Sequence, residues 1–307
     1  MNRRSFVVLL TLAAAGSAAA QHEAEIVASA KGALGTLRDS SSLHFNGYYA
    51  IGFGAGVKDL TPFQGQHWLQ VQRFMTNGSI ELSRPTFLMY LPLGDSLVQV
   101  GVAYTQRIDV KDSLPNMLGS DKVEWHSHVF CRTVPGEGRA LADGPDDCAA
   151  RGGSAAPRQI AMVHTWVVPN PDGPYAHDNP ALPYMATGLT PPHHATSDDR
   201  LLGVALGETY GAKLPMSHRI ELEAPRRGKN TEALVAARSK LKAAVSEWQA
   251  AEKPADAKKV DAAKKKVRAA YEEIAQQYRS LAGTQEIAAR YDIELKQATG
   301  EVRHHHM

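Results

Sequence analysis

Ser96-Leu97-Val98-Gln99-Val100-Gly101-Val102-Ala103-Tyr104-Thr105 is the stretch on which the fold turns. Val98, Val100, Val102 and Tyr104 alternate with other residues, the period of two that a half-buried strand requires. From about residue 43 to 223 the chain keeps this character, with short apolar runs punctuated by Gly and Pro. Asn77-Gly78 is a strong hairpin-turn signal. Gln159 to Val168 and Ser217 to Glu223 read as further strands, and residues 135–158 and 169–200 as long loops rich in Pro, Gly and Asp. Loops of that length inside a compact domain are often functional.

Both flanks of this region read as helix. Ile26, Ala30, Ala33 and Leu37 recur on one face over about 22–38, although Gly32 and Gly35 weaken the pattern. Leu234, Leu241, Val245 and Trp248 form a helical stripe that breaks at Lys253-Pro254-Ala255-Asp256. Val260, Val267, Tyr271, Ile274, Tyr278 and Leu281 follow with heptad-like spacing. Gly283 stops that helix, and Ile287, Tyr291 and Leu295 mark a shorter trailing one. The Lys258-Lys259 and Lys264-Lys265-Lys266 runs read as the solvated face of the pair, with binding to an anionic surface as the sharper alternative. The expected class is therefore α+β: a β-rich sandwich or barrel-like domain over 43–225, then an antiparallel helical hairpin with a trailing helix over 226–300. Residues 21–42 would be an N-terminal helix and linker, and 301–307 a disordered tail.

The first residues read as an export signal. Arg3 and Arg4 precede an apolar run from Phe6 to Ala14, and Ala18-Ala19-Ala20 fits a cleavage site before Gln21. Arg3-Arg4-Ser5-Phe6-Val7 also resembles a twin-arginine signal, with an ordinary secretory signal as the alternative. The run is too short for a transmembrane helix, and no later segment is long and apolar enough to span. The expected location is periplasmic or secreted. In such an oxidising compartment Cys131 and Cys148, the two cysteines of the chain, most simply form one disulfide. A net charge of +2 gives no reason to expect nucleic acid as a partner.

Thirteen histidines is a high count, and their placement carries the chemistry. In Val123-Glu124-Trp125-His126-Ser127-His128-Val129-Phe130, a strand puts Glu124, His126 and His128 on one face and Val123, Trp125 and Val129 on the other. Two imidazoles so placed can grip one metal ion. His164 lies in the strand-like Ala161-Met162-Val163-His164-Thr165-Trp166-Val167, and His67 in Gly65-Gln66-His67-Trp68-Leu69-Gln70. Each is embedded among apolar residues, where an imidazole must find a partner. His67, His126, His128 and His164 are the candidate ligands of one shared ion, with separate hydrogen bonds for each ring as the plainer alternative. Such a donor set suits zinc, copper, iron or nickel. Asn170-Pro171-Asp172-Gly173-Pro174-Tyr175-Ala176-His177-Asp178-Asn179-Pro180 leaves the His164 strand and could wall the site, with His177 and Asp178 as accessory groups. Glu124 and His177 are the candidates for proton transfer, should the site be catalytic.

Taken together, Gly65-Gln66-His67-Trp68, Arg84-Pro85-Thr86-Phe87-Leu88-Met89-Tyr90, His126-Ser127-His128, Val163-His164-Thr165-Trp166, Asn170-Pro171-Asp172-Gly173 and Asn179-Pro180 resemble a family of secreted bacterial proteins. That family is marked by spaced G-x-H, H-x-H and H-x-W motifs and an N-P-x-G loop. The resemblance covers about residues 45–185 and implies one β-rich module holding these histidines, without specifying a reaction. A cupin would carry a Glu four or five residues past the second His, whereas Glu137 is the first Glu after His128. No G-x-S-x-G, phosphate loop or H-E-x-x-H is present. The sequence thus supports an exported protein binding one transition-metal ion, with or without catalysis. The competing reading is a non-catalytic envelope module for a small molecule or protein partner, with homo-oligomerisation through the helical hairpin.

Overall fold

The computed structural model describes residues 23–210 and 231–280, apart from 36, 51–62, 78, 94–95, 116–117, 119–122, 135–137, 143, 151–152 and 254. The export signal, the strand expected at Ser217 to Glu223, the helix around Tyr291 and the tail from 301 lie outside these residues.

Among the described residues seven strands form one antiparallel sheet: β1 (Tyr48–Ala50), β2 (Gln66–Gln70), β3 (Phe87–Leu93), β4 (Ser96–Asp109), β5 (His126–Val134), β6 (Gly138–Ala142) and β7 (Ser154–Trp166). Their order is β1-β2-β3-β4-β7-β5-β6. The chain is α+β as expected, with the strands of the described residues in a single sheet. β7 inserts between β4 and β5, and this crossover sets the His164 strand beside the His126 strand.

Both faces of the sheet are covered. On one face, α1 (23–34) buries Ile26, Ala30 and Leu34, and α2 (Ser40–Phe45) buries Leu43, against Leu88, Tyr90, Val102, Tyr104 and Val163. The end of α1 is tied to the sheet by Gln99, whose amide donates to the carbonyls of Leu34, Gly35 and Leu37 at 3.1–3.2 Å. Unpaired carbonyls at a helix C-terminus need such donors. On the other face Phe87, Met89, Leu91, Val100, Met162 and Trp166 pack against Leu182 and Ala186 of α5 (Leu182–Thr187).

The alternation in Ser96 to Thr105 is interrupted. Val98 and Val100 pack on the Trp166 face, whereas Val102 and Tyr104 pack on the α1 face. Met89 pairs with Gly101 and Tyr90 with Gln99, so Val100 is the extra residue of a bulge, and the bulge shifts the parity of the strand. Apolar residues on every second position thus serve two cores.

Asn77 also departs from expectation. β2 runs into a short helix, α3 (Val71–Thr76), and Asn77 caps it in the left-handed region at φ 50°. Its side chain then takes the place of a strand residue beside β4: Oδ1 accepts from Arg107 N at 2.6 Å and Nδ2 donates to Arg107 O at 3.0 Å. The two expected long loops hold structure as well. Residues 135–158 contain β6 and α4 (Pro145–Ala150), and 169–200 contain α5 and the start of α6 (Ser197–Tyr210). Pro145 opens α4 and Pro183 lies in the first turn of α5, where a missing N–H costs nothing. Gly188 ends α5 at φ 70°.

Cys131 of β5 and Cys148 of α4 are bonded, with Cα atoms 5.5 Å apart. The link closes a loop with a sequence separation of 17, and chain entropy gives it a worth of about 3 kcal/mol.

The helical pair is α7 (Glu232–Ala251) and α8 (Ala257–Ser280). Thr231 caps α7 by accepting from Leu234 N at 3.2 Å. Lys240 pairs with Glu273 and Lys266 with Glu247, an inverse order that makes the helices antiparallel. Leu234, Leu241, Trp248, Val267, Ile274 and Tyr278 are buried together with Leu202 and Leu206 of α6. The stripe that suggested an oligomerisation element is thus covered within the chain. Lys258, Lys259, Lys265 and Lys266 are exposed, and Lys264 lies over the Trp248 ring at 5.2 Å. Among the described residues no helix is long and apolar enough to cross a membrane.

Candidate metal centre

His126 and His128 enter from β5, two residues apart and on one face of the sheet, with ring centroids 5.0 Å apart. His126 pairs across the ladder with Met162 of β7, so His164, two residues further along β7, rises on the same face beside it. The His126 and His164 rings are 5.0 Å apart. His67 comes from β2, beyond β3 and β4, yet its Nε2 reaches to 3.2 Å from His164 Nε2. At this level β4 presents Gly101 and Ala103, opposite Trp166 and His164. Their small size leaves room for imidazoles to meet above that strand.

The fifth ring comes from the loop after β7. A turn at Asn170 to Gly173, with Gly173 at φ 106°, sends the chain back along β7. Trp166 N donates to Pro174 O at 2.8 Å and Trp166 Nε1 to Ala176 O at 2.7 Å, while His164 Nδ1 is 2.6 Å from His177 O. Asn179, fully buried, pins the far side through Phe63 O and Pro169 O. The loop thereby lays the His177 ring 4.1 Å from His126 and stacks it 5.4 Å from His164.

Ligand atoms of His126, His128 and His177 all lie within 4.8 Å of one another, a set that could hold a metal ion. The three residues are half-buried, with both His126 ring nitrogens shielded from solvent, whereas His67 and His164 behind them are buried. His177 is braced from outside. Its Nδ1 is 3.3 Å from Asp178 Oδ1, and the Gln64 amide lies 3.0 Å from its Nε2 and donates to Asp178 Oδ1 at 3.1 Å. A carboxylate against an imidazole fixes ring orientation and raises basicity, the usual support of a metal-binding histidine.

The electrostatics favour neutral rings. Burial, reinforced by the neighbouring imidazoles, pushes His67 down to about 3 and holds His126 and His164 well below 6.5. A neutral imidazole keeps a lone pair for a cation. His164 gives its one ring proton to the His177 carbonyl, which leaves a lone pair on Nε2. Both ring nitrogens of His126 are buried without a hydrogen-bond partner among the described residues. An ion is one way to satisfy such atoms.

The structure gathers the four histidines named as ligands into one cluster, but the converging set takes only His126 and His128 of them and adds His177, while His67 and His164 pair behind it. Glu124 is not part of it. It precedes the first residue of β5, is exposed, and makes no hydrogen bond or ion pair with the described residues. The sequence signal for His177 was a strand followed by a Pro-Asp-Gly turn and a histidine 13 residues past His164, the spacing of a chain that folds back beside its own strand. Gln64, just ahead of Gly65, carries no comparable signal.

Compared with known proteins, the chain has no significant match to a family model, a curated protein or a solved structure.

Proposed function

We propose that this chain is an exported protein that holds a transition-metal ion through His126, His128 and His177, with His67 and His164 packed behind them. The convergence of three ring nitrogens within 4.8 Å is the observation that carries the reading. Three imidazoles leave coordination positions open to water or a substrate, as catalytic sites do and closed structural sites do not. An ion held there supplies a Lewis acid or lowers the pKa of a bound water. The chain's own contribution is orientation, through Asp178 and Gln64 on His177, and access, through the partly exposed front of the cluster. An all-imidazole set favours zinc, copper, iron or nickel over magnesium or calcium. Export is supported by the Arg3 to Ala20 pattern and by the Cys131–Cys148 bond, which persists in oxidising compartments. The likeness to the secreted histidine-motif family belongs to the same proposal: its G-x-H, H-x-H and H-x-W motifs fall on β2, β5 and β7.

The test is metal analysis of protein purified without nickel resin, with His304, His305 and His306 replaced by Ala so that the tail contributes nothing. At least one equivalent of metal is expected, taken up as isolated or on titration, and lost in His128→Ala and His177→Ala. Uptake below about a tenth of an equivalent rejects the reading, since a folded site should load nearly fully above its dissociation constant.

A further inference from the structure

We infer that the cluster is built for two ions, with His126 as the ligand they share. The inference rests on the metal-binding reading above and extends it to a dinuclear centre.

The five imidazoles fall into two sets. His126, His128 and His177 converge at the partly exposed front. His67 and His164 form a second, buried pair whose Nε2 atoms face each other at 3.2 Å. Two nitrogens on one tetrahedral ion, with bonds of about 2.0–2.1 Å, stand roughly 3.3 Å apart. The same separation suits a hydrogen bond, and the placement of protons decides between the two. His164 donates from Nδ1 to the His177 carbonyl, so its Nε2 carries a lone pair. His67 Nε2 faces that lone pair at 3.2 Å. With the His67 proton on Nδ1, two lone pairs confront each other, and a cation between them turns that repulsion into two bonds.

His126 stands between the sets. Its ring is 5.0 Å from His128, 4.1 Å from His177 and 5.0 Å from His164. A neutral imidazole that binds one ion still needs an acceptor for its other N–H, and both His126 nitrogens are buried without one. One nitrogen to each ion satisfies the ring completely. When the second ion binds, the remaining N–H proton leaves to solvent and the imidazolate charge is held by two cations. No electron is transferred in this step.

Copper(II) titration of the full chain, again with His304, His305 and His306 replaced by Ala, reads the proposal by electron paramagnetic resonance. The first equivalent should give a mononuclear signal. The second should diminish it, because copper ions joined through one imidazolate couple antiferromagnetically. His67→Gln and His164→Gln, each checked for folding by circular dichroism, should lower the stoichiometry from two to one and keep the mononuclear signal. Saturation at one equivalent, unchanged in both variants, overturns the second ion and leaves the front site standing. Two equivalents with additive, undiminished signals overturn the shared ligand. No uptake overturns this inference together with the function it rests on.

Discussion

The Nε2 atoms of His67 and His164 lie 3.2 Å apart, although 97 positions separate the two residues and two strands run between theirs. Three features of the chain produce this approach. The crossover places β7 next to β4. Gly101 and Ala103 keep β4 low at that level. The return of the 170–179 loop clamps the His164 ring through Nδ1. Each feature lies on a different segment, so the pair is a product of tertiary structure and not of any local motif.

Stability of the metal-free protein should depend on pH through these rings. Burial holds His67 at about 3 and His126 and His164 well below 6.5 in the folded chain, while the unfolded chain protonates them near 6.5. Below about pH 6.5 the unfolded state therefore binds more protons, and stability falls as pH falls. The loss is on the order of 1.4 kcal/mol per ring for each pH unit in that window. Urea midpoints of the apo protein should be level above about pH 7 and drop steadily toward pH 5. His164→Gln should flatten the slope. A midpoint that stays level from pH 7.5 to pH 5 contradicts the burial of these imidazoles.

Gly101 should tolerate no side chain. A Cβ there would lie 2.8 Å from Thr165 O and 3.3 Å from Trp166 Cε3. The first obstacle is backbone of β7, so the strands must part, and they part at the base of the His164 ring. Gly101→Ala should cost about 1–3 kcal/mol by urea denaturation, as overpacking does. It should also weaken metal binding, although it removes no ligand.

Much of this architecture is legible in the sequence, and the departures from it have physical causes. The helical pair was readable because apolar stripes over 232–251 and 257–280 repeat long enough to exclude other periods. His126 and His128 were readable because period-two alternation fixes a shared face. Val98 to Tyr104 misled because a bulge swaps faces without altering the apolar pattern. The loops at 135–158 and 169–200 misled because Pro and Gly both interrupt structure and bound it: Pro183 lies in the first turn of α5 and Gly188 ends it. His177 reads as an accessory from sequence because the return of its loop depends on long-range bonds, such as Asn179 N to Phe63 O at 2.8 Å.

Asn77 should be irreplaceable by Ala. It holds a left-handed conformation, and its amide makes both hydrogen bonds to the Arg107 backbone. Asn77→Ala loses both bonds and adds strain at positive φ, and should cost about 2–3 kcal/mol. Asn77→Gly relieves the strain but not the missing bonds, so it should fall between wild type and Asn77→Ala. Equal stability of the Gly variant and wild type would show that the Arg107 bonds contribute nothing. Chemical denaturation of the three proteins decides it.

Ile274 and Tyr278 distinguish a helical pair that completes the chain's own core from one that joins two chains. Ile274 is fully buried and Tyr278 is 1% exposed, both packed with residues of α6. The Tyr278 hydroxyl donates to Glu208 Oε1 at 2.8 Å and accepts from Arg238 Nη2 at 2.8 Å, while Arg238 Nε lies 3.3 Å from the same carboxylate. The Glu208 side chain is only 5% exposed, so it relies on these partners. Tyr278→Phe should cost about 1–2 kcal/mol, the loss of a hydrogen bond to a buried charge. Ile274→Asn places an amide in the apolar centre and should cost about 3 kcal/mol or more, with loss of helical signal by circular dichroism. Neither variant should change the molecular mass of the folded fraction by light scattering. A variant that kept its helicity while its mass fell by half would place these side chains at an interface between copies and contradict the packing of α8 on α6.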